Sequence, residues 1–225
     1  MQTKSEMYRD GNKYSTSDKT GLASKYFLAK EAVISHGYES EILWQSSLCF
    51  DDLDESAFLR ELSWVILSSG MRERVIRNIF GSISKCFFDW VSSKKIIENK
   101  EDCLNDAMSY FNNKSKMSAI IFAAEYLVES DFRDFKIRIF EDPISVLQRF
   151  PYIGPITVYH LAKNIGLPFA KPDRHLLRMA NYSGYSDVQL FCKEISELSG
   201  DSIPVVDVVL WRFATFETNY LKLLK

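Results

Sequence analysis

Apolar residues recur at three- and four-residue intervals along most of the chain, the spacing that lines one face of an α-helix. Tyr26 to His36 forms one short amphipathic segment, closed by Gly37. Asp54 to Leu67 opens on acidic residues, which suit a helix N-terminus, and sets Phe58, Leu59, Leu62, Val65 and Ile66 on one face. Arg72 to Asn78 continues the pattern after Gly70, Gly81 interrupts it, and Cys86 to Trp90 follows. The same spacing predicts helices over 102–111, 115–129, 143–149, 155–165, 173–181, 187–198 and 204–223. No stretch alternates with the two-residue period of a strand, and there is neither a repeat nor a heptad seam. The pattern predicts an all-α fold of about ten short helices. Residues 1–24, polar and rich in Lys, Ser, Thr, Asp and Gly, read as a flexible N-terminal arm. Trp44, Trp64, Phe87, Phe88 and Trp90 recur at helical spacing and read as core.

Composition narrows the class. Of 225 residues, 46% are hydrophobic and 14% aromatic, enough to bury a sizeable core and to exclude a wholly disordered chain. With 9 Gly and 6 Pro, a collagenous or low-complexity protein is excluded as well. The longest apolar runs, such as Ser118 to Ala124, are too short to span a bilayer, and Met1 to Asp10 has no apolar core of the signal-peptide kind. Cys49, Cys86, Cys103 and Cys192 are scattered without a Cys-x-x-Cys pair. That distribution implies free, mostly buried thiols in a reducing compartment, and it offers neither an iron–sulfur cluster nor a zinc site. His36, His160 and His175 have no partner at metal-ligand spacing. The balance of 28 basic against 30 acidic residues, a net charge of −2, argues against a uniformly basic nucleic-acid binder.

Two segments carry chemistry. From Leu147 to Ala162 a helix ends, Pro151 to Gly154 makes a tight turn, and Pro155 stands where the next helix begins. Gly154 permits close approach of the backbone, and free amides at a helix start can seat a phosphate without a lysine. As bare physics this is a helical corner, which can equally be structural. Lys171 to Ala180 follows, with Asp173 after Pro172 and before an apolar helix, the position of an N-cap.

Taken together, these segments resemble the helix-hairpin-helix DNA glycosylase superfamily, endonuclease III-like and 8-oxoguanine glycosylase-like. The family hairpin, Leu-Pro-Gly-[Val/Ile]-Gly-x-x-Thr-Ala, lies over Phe150 to Val158. Its [Val/Pro]-Asp-x-His-[Val/Leu]-x-Arg segment lies over Pro172 to Arg178. Glu61 to Ser69 is similar to the family's second helix and its Leu-Ser loop, and Lys114 to Ile121 to the helix before the hairpin. The likeness runs in order from about residue 55 to 215.

The resemblance implies two helical lobes with a base-binding cleft between them. One lobe spans 55–165 and holds the hairpin (147–162); the other joins 25–54 to 166–225. It implies base flipping and release of a damaged or modified base from double-stranded DNA. Asp173 would be the catalytic carboxylate, stabilising positive charge on the sugar and orienting or deprotonating water; a capping role alone is the other reading. Pro151, Tyr152, Ile153, Gly154, Ile156 and Thr157 would form the DNA-binding hairpin. The backbone carbonyls of Gln148, Phe150 and Ile153 would hold a monovalent cation, with no other cofactor. Met71 or Arg72, in the loop from Ser68 to Glu73, would fill the gap left by the base, unless that loop is an ordinary helix junction. Trp211 would stack on the base and Asp207 accept from its polar edge, unless the last helix serves only as core.

The departures are as informative. Family members that also cut the backbone use a lysine where Ile156 stands, and isoleucine forms no Schiff base. A monofunctional enzyme leaving an abasic site is therefore implied; Lys171 or Lys163 could supply an amine from elsewhere, but neither stands at the family position. Tyr152 replaces the first hairpin glycine, tilting the turn or adding a contact. A glycosylase acting on modified foreign DNA needs the same machinery. A non-catalytic hairpin module that only binds DNA needs less of it. The resemblance implies a monomer in the cytoplasm, nucleoid-associated in a prokaryote, or in the nucleus. Despite the net charge, Arg72, Arg74, Arg77, Lys114, Lys116 and Lys163 are expected to form one basic face, with many acids falling in 39–61 and 187–207.

Overall fold

The computed structural model of the chain describes residues 16–224, which are all-helical, with no strand among them. In chain order the α-helices are α1 (Thr16–Ser35), α2 (Glu39–Ser47), α3 (Glu55–Ser68), α4 (Glu73–Cys86), α5 (Ser93–Glu98), α6 (Lys100–Tyr110) and α7 (Lys114–Glu129). After these come α8 (Phe132–Glu141), α9 (Pro143–Leu147), α10 (Thr157–Asn164), α11 (Arg174–Tyr182), α12 (Val188–Ser199) and α13 (Ile203–Phe216). Short polar side chains start many of them. The carboxylates of Asp54, Asp131, Asp142, Asp173 and Asp187, the Ser92 hydroxyl and the Asn113 amide oxygen each accept from first-turn amides that have no partner inside the helix.

Several boundaries differ from the sequence expectation. The helix read from Tyr26 begins at Thr16, so part of the expected arm is helical, and Leu22 is buried; residues 1–15 lie outside the described ones. α4 runs unbroken through Gly81, where a glycine in a helix costs about 1 kcal/mol but does not end it. In the segment after Gly81, Cys86 closes α4 and Phe88–Trp90 forms a 3-10 turn in which all three residues take positive φ. That turn buries Trp90, whose indole N–H donates to Ser84 Oγ (2.9 Å), and stacks it on Phe87. Helix α13 ends at Phe216, and a 3-10 turn takes up Tyr220–Leu224. α2, α5 and α8 carry too few buried positions to show a period.

Two clusters of buried side chains organise the chain. The larger draws on residues from Phe50 to Leu167 and centres on α3, α7 and an aromatic knot of Phe58, Phe135 and Phe150. The smaller joins α1 and α2 to α11, α12 and α13. At the crossing, Gly166 adopts φ +88, and a Cβ there would lie 2.5 Å from the Phe50 amide nitrogen. Only glycine lets the chain leave α10 at that point. No helix among the described residues is long and apolar enough to cross a membrane.

Candidate functional site

A cavity of about 1080 Å³ opens where residues of both clusters meet, bounded by α2, α3, the start of α4, α10, the 171–175 segment and α13. Asp173, Asp207, Trp211, Met71, Ile156 and Thr157 all line it; Arg72, at the start of α4 and exposed, does not. Sequence positions more than a hundred residues apart therefore meet in one place.

Asp173 is held by its neighbours. Its Oδ1 accepts from the amides of His175 (2.8 Å) and Leu176 (3.1 Å), so it does cap α11. Its Oδ2 has no hydrogen-bond partner among the described residues, and Asp173 lines the cavity. Capping and chemistry are thus compatible: one oxygen fixes the carboxylate, and the other remains available.

The segment leading to it is anchored from α13. Asp207 Oδ2 accepts from the Lys171 amide (2.6 Å), and Asp207 Oδ1 pairs with Lys163 Nζ (3.0 Å). Burial pushes the Asp207 carboxyl up, and Lys163 and the Lys171 amide pull it back. With both oxygens engaged, Asp207 holds Lys171-Pro172-Asp173 against α10, where a free acceptor for a base edge was expected. Lys163 is also tied to Gln45, donating to its Oε1 (3.2 Å), while Gln45 Nε2 donates to the Lys163 carbonyl (3.0 Å).

The cavity floor is more polar than expected. His160, Lys163 and Asn164 lie three and four apart on α10 and face it together. Burial, with Lys171 and Lys163 nearby, holds His160 well below the usual histidine range. Glu61 from α3 accepts from Asn164 Nδ2 (3.0 Å) and Arg60 Nη1 (2.5 Å); burial pushes its carboxyl up. Continuing the polar positions of α10 past Thr157 at helical spacing would have found His160 and Asn164. Glu61 is flanked by the apolar positions of α3, and nothing in its local sequence marks it as facing a cavity.

Aromatic side chains make the walls. Trp44, Trp64, Phe80 and Trp211 line the cavity, and Trp44 is 38% exposed, not core. The Arg212 guanidinium lies over both Tyr38 (4.3 Å) and Trp211 (4.6 Å) and donates to both oxygens of Glu41. Trp211 is thus half-buried, with its ring braced by Arg212.

A second cavity, about 420 Å³, sits beside the first at the hairpin turn and shares Ser69, Ile156 and Thr157 with it. Thr157 closes the turn: its hydroxyl accepts from the Gly154 amide (2.7 Å) and donates to the Tyr152 carbonyl (2.9 Å). Tyr152 takes the left-handed conformation itself (φ +69) where the resemblance expects glycine. Its hydroxyl donates to Ser115 Oγ (2.8 Å), so its ring docks on α7. α10 begins at Thr157, two residues after Pro155, and the Ile156 and Thr157 amides have no acceptor among the described residues. The Phe150 carbonyl accepts from the Ile153 amide (3.2 Å), while those of Gln148 and Ile153 accept from no described residue. Among the described residues, no group of three His, Cys, Asp or Glu side chains is placed to hold a metal ion.

No family model, curated protein or solved structure matches the chain.

The expected basic face is smaller than charge counting suggested. Lys116 and Lys163 are buried, at 3% and 6% exposure. Lys116 Nζ donates to the Leu67 (2.6 Å) and Ser69 (2.5 Å) carbonyls, pinning the loop that carries Met71. Arg77 is shared between Glu73 and Glu41. Arg72, Arg74 and Lys114 remain exposed near the cavity and hairpin. His36 stacks on Phe216 and His175 packs edge-on to Tyr220.

Proposed function

We propose that the chain is a DNA N-glycosylase that binds double-stranded DNA as a monomer, flips a damaged or modified base into the large cavity and hydrolyses its glycosidic bond. One observation carries this reading: the hairpin cavity and the large cavity share Ser69, Ile156 and Thr157, and Asp173, which lines the large cavity, keeps one carboxylate oxygen unpartnered among the described residues. A phosphate seated on the Ile156 and Thr157 amides would bring its neighbouring nucleotide to the cavity mouth, as the resemblance to the helix-hairpin-helix glycosylases implies. The two buried clusters would then act as two lobes with the substrate between them.

In this reading Trp211 stacks on the base, and Met71, 38% exposed on the rim, fills the vacated stack. Asp173 Oδ2 orients water and offsets the positive charge that builds on the sugar as the C1′–N bond breaks. Ile156 holds no amine, so the hairpin position forms no Schiff base, and base hydrolysis itself yields an abasic site. The free carbonyls of Gln148 and Ile153, with the second lone pair of Phe150, suit a monovalent cation that would bridge to a phosphate. The DNA partner implies a nucleoid or nuclear location.

The test is a panel of duplexes, each with one damaged or modified base, followed by alkaline cleavage of abasic sites. Release of one base, lost in Asp173→Asn, is expected. Binding of all duplexes with release from none would instead identify a non-catalytic DNA-binding module.

A further inference from the structure

Two lysines line the cavity, Lys163 and Lys171, and the hydrolysis above uses neither amine. Lys171 lies two residues before Asp173 and lines the same cavity. Its backbone is fixed at both ends: the amide donates to Asp207 Oδ2 (2.6 Å), and the carbonyl accepts from the Asp173 amide (2.7 Å). Its Nζ, by contrast, has no hydrogen-bond or ion-pair partner among the described residues, and the side chain is only half-buried.

The neighbouring lysine shows what is unusual about it. Lys163 reaches the same region but is committed to Asp207 and Gln45. Its Nζ takes one oxygen of the Asp207 carboxylate, and the Lys171 amide takes the other. Burial and the Lys163 charge pull the Lys171 amine below the usual lysine range, while Asp173 and Asp207 partly restore it. A desolvated amine beside another cation is the setting in which lysine acts as a nucleophile toward carbonyl carbon.

We propose that Lys171 is a nucleophilic residue that captures an aldehyde in this cavity as an imine. Resting on the glycosylase reading, the aldehyde is C1′ of the ring-opened abasic sugar left by base hydrolysis. The Lys171 nitrogen adds to C1′, the C1′–O bond breaks, and the oxygen leaves as water, giving a C1′=N imine. The Lys171 nitrogen sheds its protons to that departing water and to solvent. Addition of water reverses the step and returns the free amine, so no oxidant or reductant is required. While the imine persists, the protonated form draws electrons from C2′; loss of a C2′ proton to water then expels the 3′ phosphate. Ile156 rules out this chemistry at the hairpin position, and Lys171, which lines the same cavity, supplies it instead.

The direct test adds sodium borohydride to the full chain with a duplex carrying a single preformed abasic site. Reduction of the imine should leave a covalent protein–DNA adduct that peptide mapping assigns to Lys171. Lys171→Ala should lower its yield at least tenfold. Absence of an adduct from the unsubstituted chain, an adduct mapped to Lys163, or an undiminished adduct in Lys171→Ala would each overturn the proposal. A measurement on the unsubstituted chain guards against a folding defect in the variant: limiting formaldehyde and cyanoborohydride near neutral pH should methylate Lys171 ahead of exposed Lys94. Methylation of Lys94 first would count against the proposal. Because the abasic duplex bypasses base release, the two readings fail separately. An adduct without base release from any duplex would sink the glycosylase reading alone, and base release without an adduct would sink this one alone.

Discussion

Breaking the Lys163–Asp207 pair should be costly, and the structure indicates how costly. The two side chains are 8% and 4% exposed and meet at 3.0 Å, so neither charge can turn to bulk water when its partner is removed. Removal of one member of a buried pair costs about 3–5 kcal/mol, because an uncompensated charge stays behind. For a chain of this size each kcal/mol moves Tm by about 2–4 °C, so Asp207→Ala and Lys163→Met should each melt about 6–20 °C lower. The double variant Lys163→Met with Asp207→Leu removes both charges together. It leaves only the Lys171 amide and the Gln45 side chain short of partners, at about 1–3 kcal/mol each. A urea-unfolding cycle on the four proteins should therefore give a coupling energy above about 2 kcal/mol. Singles costing less than about 1 kcal/mol, or a double equal to their sum, would refute the claim that this pair locks α10 and the Asp173 segment to α13.

Other predictions test separate parts of the fold and site. Gly166→Ala should destabilise by at least about 2 kcal/mol in urea unfolding, since a side chain there meets both a left-handed φ and the Phe50 backbone at 2.5 Å. Burial pulls Lys116 down to about 8 from 10.5, so between those pH values the unfolded chain holds the extra proton and stability rises with pH. Measured against Lys116→Met by urea unfolding, the native chain should gain stability from pH 8 to 10; a gain in the opposite direction would contradict the burial argument. Trp211→Ala should slow single-turnover base release by about 5- to 150-fold if its ring stacks on the base, which corresponds to about 1–3 kcal/mol; an unchanged rate would return Trp211 to a packing role.

What the sequence disclosed was local, and what it concealed was long-range. α3, α7, α11 and α12 were readable because apolar spacing and a capping Asp or Asn lie within a few residues of each other. α8 was not, because it buries Phe135 and Ile139 but exposes Ile137 and Phe140, which blurs its period. The turn at Phe88 to Trp90 overrides local preference for the sake of burying one indole. Asp173 could be found, since its cap is two and three residues away. The state of Asp207 could not, because its partners Lys163 and Lys171 lie 44 and 36 residues before it. The burial of Lys116 and Lys163 is hidden from the sequence for the same reason: the carbonyls and carboxylate that hold them belong to distant segments.

The central claim is that the free oxygen of Asp173 does chemistry while its other oxygen caps α11. Asn retains a capping oxygen, so Asp173→Asn should melt close to the unsubstituted chain while removing the charge. Single-turnover base release from the duplex identified by the panel, measured for both proteins with their melting curves, separates the two roles. The account predicts an unchanged melt with base release slowed by about 100-fold or more. An unchanged melt with undiminished base release would show that Asp173 is a helix cap and nothing else.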